Sequence, residues 1–406
     1  MVLAFAGLAC LSANGQAAYT PFSSFGIGDY YGNGLVHNQG MGGVGISNPQ
    51  TWYLNNQNPA LLVFNTLTSF NAGYLVEGRT IRNNDTKEKN ANGNINYLVL
   101  GLPIKRGKWT TSIGLMPYTN VNYKLTYPQQ IENSTITTDV TETGSGGVNQ
   151  LSWSNGVAIT RNISVGAKAN YLFSSTDIRT QLASSAVTQT FHTREHYSDF
   201  NFTGGLSIRK DSLFKKNYRV NFGLVYDLKS NINTKFFEAL ELNGTAVDTL
   251  HENEKKHITL PQTLSAGISY GRAEYWTVAT DFTFLDYSQY RDINGDKNGA
   301  TDGWKWAIGG EVTPDPYSVS SYLKRMTYRT GVSLEKYPYL INGNTLQDMA
   351  VNFGFSMPVS RVSNLDFAVK WGKRGDIKTN TLSENYFKVS LGVTFNDQWF
   401  IKRRFD

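Results

Sequence analysis

The sequence predicts an all-β protein, a transmembrane antiparallel β-barrel of about fourteen strands with an N-terminal plug (hatch) in its lumen. Three observations predict it. Apolar and polar residues alternate at period two in segment after segment. The connections between those segments alternate between short and long. The 406-residue chain is rich in Tyr (23), Phe (22) and Gly (38), yet its mean hydropathy is −0.36. Past its N-terminus it holds no apolar run of the length a transmembrane helix needs. A wall with one face on lipid and one on a polar lumen has that composition. Composition alone fits a soluble propeller or sandwich equally well.

The chain opens on an apolar stretch, Val2–Leu11, followed by small residues through Ala18. This reads as a signal peptide over 1–17, cleaved after Ala17 or after Gly15. It lacks the usual basic n-region, which suggests a truncated start. Cys10 is the one cysteine. It follows Gly7-Leu8-Ala9, a poor lipoprotein signal because Gly stands where a branched apolar residue is expected. Removal of the leader leaves no thiol for a disulfide, a metal or a nucleophile. The net charge of +6 is mild and its cations are scattered, so nucleic acid is not an expected partner.

Residues 18–65 do not alternate. They carry Phe22, Phe25, Tyr30 and Tyr31, then Gly40-Met41-Gly42-Gly43-Val44-Gly45, then Asn58-Pro59-Ala60-Leu61-Leu62. The aromatics favour a plug folded into the lumen over a flexible extension. Asn58 before Pro59 predicts an N-cap and first position of a short helix. The plug motif is therefore Gly40, Gly42, Gly43, Gly45, Asn58, Pro59 and Ala60.

The barrel is expected over 66–396. Its strands fall near 67–82, 91–104, 108–127, 149–160, 163–179, 190–209, 217–235, 258–271, 274–290, 302–313, 325–337, 345–358, 363–374 and 384–396. Alternation is clearest at the end, where Phe387, Val389, Leu391, Val393 and Phe395 oppose Lys388, Ser390, Gly392 and Thr394. Val389, Leu391 and Val393 are predicted to face lipid. Expected periplasmic turns are 105–107, 161–162, 210–216, 272–273, 314–324 and 359–362. Expected extracellular loops include 83–90, 128–148, 235–257 and 291–301. All but 314–324 in the first set are short, and a propeller has no reason to sort loop lengths this way. An even strand count returns the tail, 397–406, to the periplasm.

Several motifs imitate chemistry. His192-Thr193-Arg194-Glu195-His196 matches an inverted zincin pattern, which needs a helix. The flanking Phe200, Phe202, Leu206 and Ile208 alternate as a strand, where residues four apart sit about 13 Å apart and cannot share a metal. Asp292, Asn294, Asp296 and Asn298 resemble a calcium loop, but the sixth position is Lys297 and the twelfth Gly303, so a solvated turn is favoured over a looser calcium site. Gly40–Gly45 has no following Lys-Ser/Thr for a phosphate loop. No nucleophile stands beside a base. No enzyme activity, cofactor or metal is expected.

Three stretches together resemble the FadL-type family of outer-membrane transporters for hydrophobic compounds. The first is Gly40–Gly45 with Asn58-Pro59-Ala60. The second is Leu260-Pro261, Gly267, Trp276–Asp281 and Leu285–Tyr290. The third is Gly372–Asp376, Glu384–Phe387 and Asn396–Phe405, which looks like the ending of the Bacteroidota branch. Asn48-Pro49 and Thr51–Leu54, between the two plug motifs, depart from the family pattern. The family's ligand-contacting residues have no placed counterparts here. The resemblance implies a fourteen-stranded barrel in a bacterial outer membrane, a hatch, and an opening in the wall by which ligands leave sideways. It implies passive transport of hydrophobic small molecules such as long-chain fatty acids, with outer-membrane lipid as the surroundings. The alternative it implies is a non-transporting accessory barrel among other outer-membrane proteins in an export or assembly complex.

Overall fold

The computed structural model describes residues 18–130, 137–183, 187–212, 217–360 and 362–399. The expected signal peptide with Cys10, and most of the expected tail, lie outside the described residues. Nineteen strands run in chain order: β1 (Asp29–Tyr30), β2 (Thr68–Arg82), β3 (Lys87–Lys105), β4 (Trp109–Pro117), β5 (Thr119–Gln130), β6 (Thr137–Gly146), β7 (Asn149–Ala158), β8 (Ile163–Ala183), β9 (Thr188–Asp211), β10 (Tyr218–Asp227), β11 (Ser230–Leu242), β12 (Thr245–Leu260), β13 (Gln262–Arg272), β14 (Trp276–Asp286), β15 (Gly303–Val312), β16 (Thr327–Ile341), β17 (Asn344–Pro358), β18 (Asn364–Arg374) and β19 (Ser383–Asp397).

Fourteen of them close a ring. The order is β2-β3-β4-β7-β8-β9-β10-β13-β14-β15-β16-β17-β18-β19, and β19 returns to β2 from Ser383↔Arg82 to Asp397↔Thr68. Every neighbour is antiparallel, so no ring strand presents a free edge along its whole length. The remaining long strands form two hairpins, β5/β6 and β11/β12, which extend the wall past the ring on β8 and β9. β5 and the start of β11 fall in the expected strands 108–127 and 217–235, whereas β6 and most of β12 occupy stretches expected to be long polar loops. Their sequence does not alternate cleanly because neither face needs to be apolar beyond the wall.

Three of the expected strands are each split in two. The 108–127 stretch breaks at Tyr118, where Gly146 and Gly147, both at positive φ, let the facing chain cross over. The 217–235 stretch breaks after Asp227, where β11 leaves the ring. The 258–271 stretch breaks at Pro261, which has no N–H to give a ladder. The long turn at 314–324 contains a short helix, Tyr322–Arg325.

Sidedness follows the alternation. Phe387 and Phe395 are half exposed on the outside of β19, while Tyr386, Ser390 and Thr394 are buried inside. On β17, Met349 and Phe353 point out and Ala350 and Asn352 point in. Register carries this around the ring, since Leu391 pairs with Phe367 on one side and Tyr74 on the other. A charge at Leu391 would therefore sit in an unbroken apolar belt. Leu391→Arg is expected to cost about 2–4 kcal/mol and to lower the fraction of heat-modifiable folded protein on unboiled gels; normal assembly of this variant would contradict the register.

Candidate functional site

Residues 18–65 lie against the inward faces of the ring strands. Asn58, in extended conformation, accepts a hydrogen bond from Ala60 N on its side chain, and a 3₁₀ helix follows over Pro59–Phe64. The expected cap is thus present, on a tighter helix that runs two residues past the Leu62 of the sequence motif. The Asn58 amide nitrogen donates to Ile46 O (2.8 Å) and to Leu206 O of β9 (3.1 Å). Ser164 Oγ donates to Ala60 O (2.8 Å), and Lys168 Nζ to Asn56 O (3.0 Å). The Asn58-Pro59-Ala60 motif therefore grips β8 and β9.

The glycine-rich run grips the opposite arc. Gly42 and Gly43 sit at φ +78° and +90°, which a side chain rarely adopts. Gly40 packs on Gly354 of β17, and Gly42 on Val332 of β16. The Asp281 carboxylate of β14 accepts both Gly45 N (2.7 Å) and Ile46 N (2.9 Å). Asn221 of β10 and Ser269 of β13 donate to Ser47 O at 2.8 and 2.6 Å. Side-chain amides beside and within the second motif tie it to the backbone of the first: besides Asn58 to Ile46 O, Asn55 donates to Gly45 O (2.6 Å) and Gln57 to Gly43 O (2.8 Å).

The wall is shaped for this approach. A Cβ at Gly156 or Gly166 would overlap Pro59 backbone, one at Gly223 would overlap Ile46, and one at Gly309 or Gly331 would overlap Met41. Several of these glycines are cross-strand partners, as in Gly156↔Gly166↔Gly205 and Gly309↔Gly331. The sequence reading missed them. The signal that could have found them is Gly recurring at inward positions on successive strands.

A buried ionic network sits higher in the lumen. Asp29 of β1 meets Arg374 (3.1 Å) and Arg79 (3.5 Å). Arg79 also holds Glu77 (2.9 Å) and Glu384 (2.5 Å), Arg374 holds Asp348 (3.4 Å), and Lys388 holds Glu77 (3.1 Å). Burial alone pushes the Asp29 carboxyl up, but the Arg374 and Arg79 guanidiniums override it and hold it well below the ordinary carboxylate range. Its stabilising charge is therefore present above that range and is lost only in strong acid. Removing one partner of such a network leaves an uncompensated buried charge, at a cost of about 3–5 kcal/mol.

At this level the wall parts. β3 pairs with β4 from Leu98↔Leu115 to Lys105↔Trp109. Over Lys87–Ile95, β3 is laddered to β2 on its other side. β5 is laddered to β6, and its free edge meets only β1, at Asp29↔Asn120 and Tyr30↔Thr119. Among the described strands no ladder joins β3 to β5. Residues 19–23 bridge the two edges instead. Asn90 of β3 donates to Tyr19 O (3.1 Å), and the Tyr19 hydroxyl donates to Lys124 O of β5. Thr20 N donates to Asn122 O (2.9 Å), and Asn122 N to Ser23 Oγ (3.1 Å).

Behind this bridge lies an aromatic cluster. Phe25 stacks on Tyr339 (5.5 Å between centroids), Tyr30 meets Tyr118 edge-on (5.3 Å), and Tyr287 contacts Tyr290 (5.5 Å) and Tyr339 (5.8 Å). Ile27, Leu172, Ile232 and Leu260 close it on the apolar side. Tyr30 keeps 38% of its surface exposed. None of these residues was singled out as a ligand contact from the sequence.

The imitation motifs take their expected conformations. His192 and His196 lie on strand β9, and His192 pairs with Asp177 (2.9 Å). Asp292 is occupied by hydrogen bonds from Asn294 N, Asp296 N and the Asn298 side chain. Among the described residues no group of three His, Cys, Asp or Glu is placed to hold a metal ion.

The glycine contacts yield a paired test. Gly223→Ala forces a methyl into the Ile46 backbone, whereas Gly204→Ala, on the outer face of β9, meets open space. Gly223→Ala is expected to lose about 1–3 kcal/mol and to render residues 40–47 sensitive to protease, with Gly204→Ala unchanged in both measurements.

Solved structures share this architecture. A *Pseudomonas aeruginosa* FadL homologue aligns with TM-score 0.62 at 11% identity, covering 91% of this chain and 99% of its own. The toluene transporter TodX of *P. putida* aligns with TM-score 0.60 at 15% identity, covering 92% and 100%. The toluene transporter TbuX of *Ralstonia pickettii* aligns with TM-score 0.57 at 14% identity, covering 90% and 98%. At such identities the likeness establishes the fold. No curated protein matches the sequence. A family model described as BamG matches residues 1–406, and the chain belongs to the BamG family.

Proposed function

We propose that the barrel sits in a bacterial outer membrane, short turns periplasmic, and passes hydrophobic small molecules without an energy source. Residues 18–65 act as its plug. The observation that carries this reading is the parting of β3 and β5 directly in front of the aromatic cluster, with the gap bridged by residues 19–23 and not by a ladder. A lateral exit of this kind answers the physical problem of the outer membrane. Its polar outer leaflet slows apolar solutes, and a side opening delivers them into hydrocarbon. Two of the similar solved structures named above are toluene transporters, and a cluster of rings suits flat aromatic solutes as well as acyl chains.

A specific observation favours the second role, an accessory subunit in an outer-membrane export or assembly complex. The one long periplasmic turn exposes Val319 fully, Tyr317 at 68% and Leu323 at 64%. Such side chains outside the wall suit a protein partner.

Purified barrel in detergent is expected to bind toluene or a fluorescent fatty acid saturably. Tyr339→Ala, which removes two ring contacts, is expected to weaken binding about 2–10-fold, the equivalent of about 0.5–1.5 kcal/mol. Absence of saturable binding, together with recovery of the barrel in a stoichiometric complex with other outer-membrane proteins, would replace transport with the accessory role.

A further inference from the structure

At contact distance the charge network of the lumen is short of one cation, and the chain supplies it if it begins at Ala18. Among the described residues the contacts below 4 Å join four carboxylates, Asp29, Glu77, Asp348 and Glu384, to three cations, Arg79, Arg374 and Lys388. Glu77 is 2% exposed. Its Oε2 receives both Arg79 and Lys388. Its Oε1 receives Ala18 N at 2.8 Å. Ala18 is itself buried, and two residues on Thr20 Oγ1 donates to Glu384 Oε2 (2.5 Å).

We propose that the leader is removed between Ala17 and Ala18, and that the α-ammonium so created is the fourth cation of this network, ion-paired to Glu77. Gly15 and Ala17 supply the small residues that signal peptidase selects. Hydrolysis by water frees the Ala17 carboxylate and the Ala18 amine, which takes up a proton. Before cleavage Ala18 N is an amide, a neutral donor, and the four carboxylates share three cations at contact distance, with Lys370 farther off beside Asp348. After cleavage the same atom, at the same distance, carries +1. Charge-assisted hydrogen bonds are roughly twice as strong as neutral ones, and an unpaired buried carboxylate is costly. Cleavage thus stabilises the seated position of the bridge that closes the gap between β3 and β5, whichever of the two roles the barrel serves.

The test is amine labelling of the protein purified from outer membranes, with the N-terminus read by sequencing. The mature chain is expected to begin at Ala18. Its α-amine is expected to react with an N-hydroxysuccinimide ester at pH 8 at least tenfold more slowly than an unstructured peptide amine of pKa about 8. Glu77→Gln is expected to remove that protection. If that variant does not fold, one Gly inserted between Ala17 and Ala18 leaves the wall intact, moves the amine by a residue and is likewise expected to remove it. A mature chain starting elsewhere, wild-type labelling at the free-peptide rate, or protection that survives the insertion would overturn the proposal.

Discussion

A strand edge in hydrocarbon must have its N–H and C=O groups satisfied, because each one left unpaired costs several kcal/mol. That constraint organises this barrel. Fourteen strands satisfy one another around the ring, and where the wall parts between β3 and β5 it is served by the protein's own N-terminal residues. Tyr19 and Thr20 take the role a neighbouring strand would take. Closure of the wall and placement of the plug are therefore one event. A segment that substitutes for a strand without being covalently hairpinned to it can withdraw, and a laddered strand cannot.

Two kinds of contact hold the rest of that segment, and they differ in what they permit. In the lower lumen, backbone packs on inward glycines and donates to Asp281, which fixes residues 40–47 and 58–60 against opposite arcs of the wall. Such contacts are dense and position-specific. Higher up, Asp29 is held by charges from β2 and β18. Charges attract over distance and tolerate small displacements better than packed backbone does. Residues 40–47 and 58–60 are thus packed as part of the wall, while residues 18–30 are held mainly by charges and hydrogen bonds.

Much of the ring was legible in the sequence, since alternation at period two is imposed by the wall itself. Phe387 to Phe395 and Leu365 to Trp371 face as their spacing says. β6 and most of β12 were not legible as strands, because a ribbon wet on both faces has no apolar period to read. The Asn58 cap was legible from Asn-Pro alone; its 3₁₀ form was not. The aromatic cluster and the charge network join residues up to 345 positions apart, as Asp29 and Arg374 show. No local pattern marks such pairs. Inward glycines are the exception: their recurrence on successive strands is a sequence signal for a close-packed lumen.

The most direct measurement locks the bridge in place. Ser23 Oγ accepts a hydrogen bond from Asn122 N at 3.1 Å, which sets positions 23 and 122 side by side for a cysteine pair, and Cys10 is the chain's one natural cysteine. Cells carrying Ser23→Cys with Asn122→Cys in an intact, polar outer leaflet should take up toluene faster than cells lacking the barrel when the pair is reduced and no faster when it is oxidised, reversibly on adding dithiothreitol. Equal uptake in both states would contradict a lateral route gated by residues 18–30.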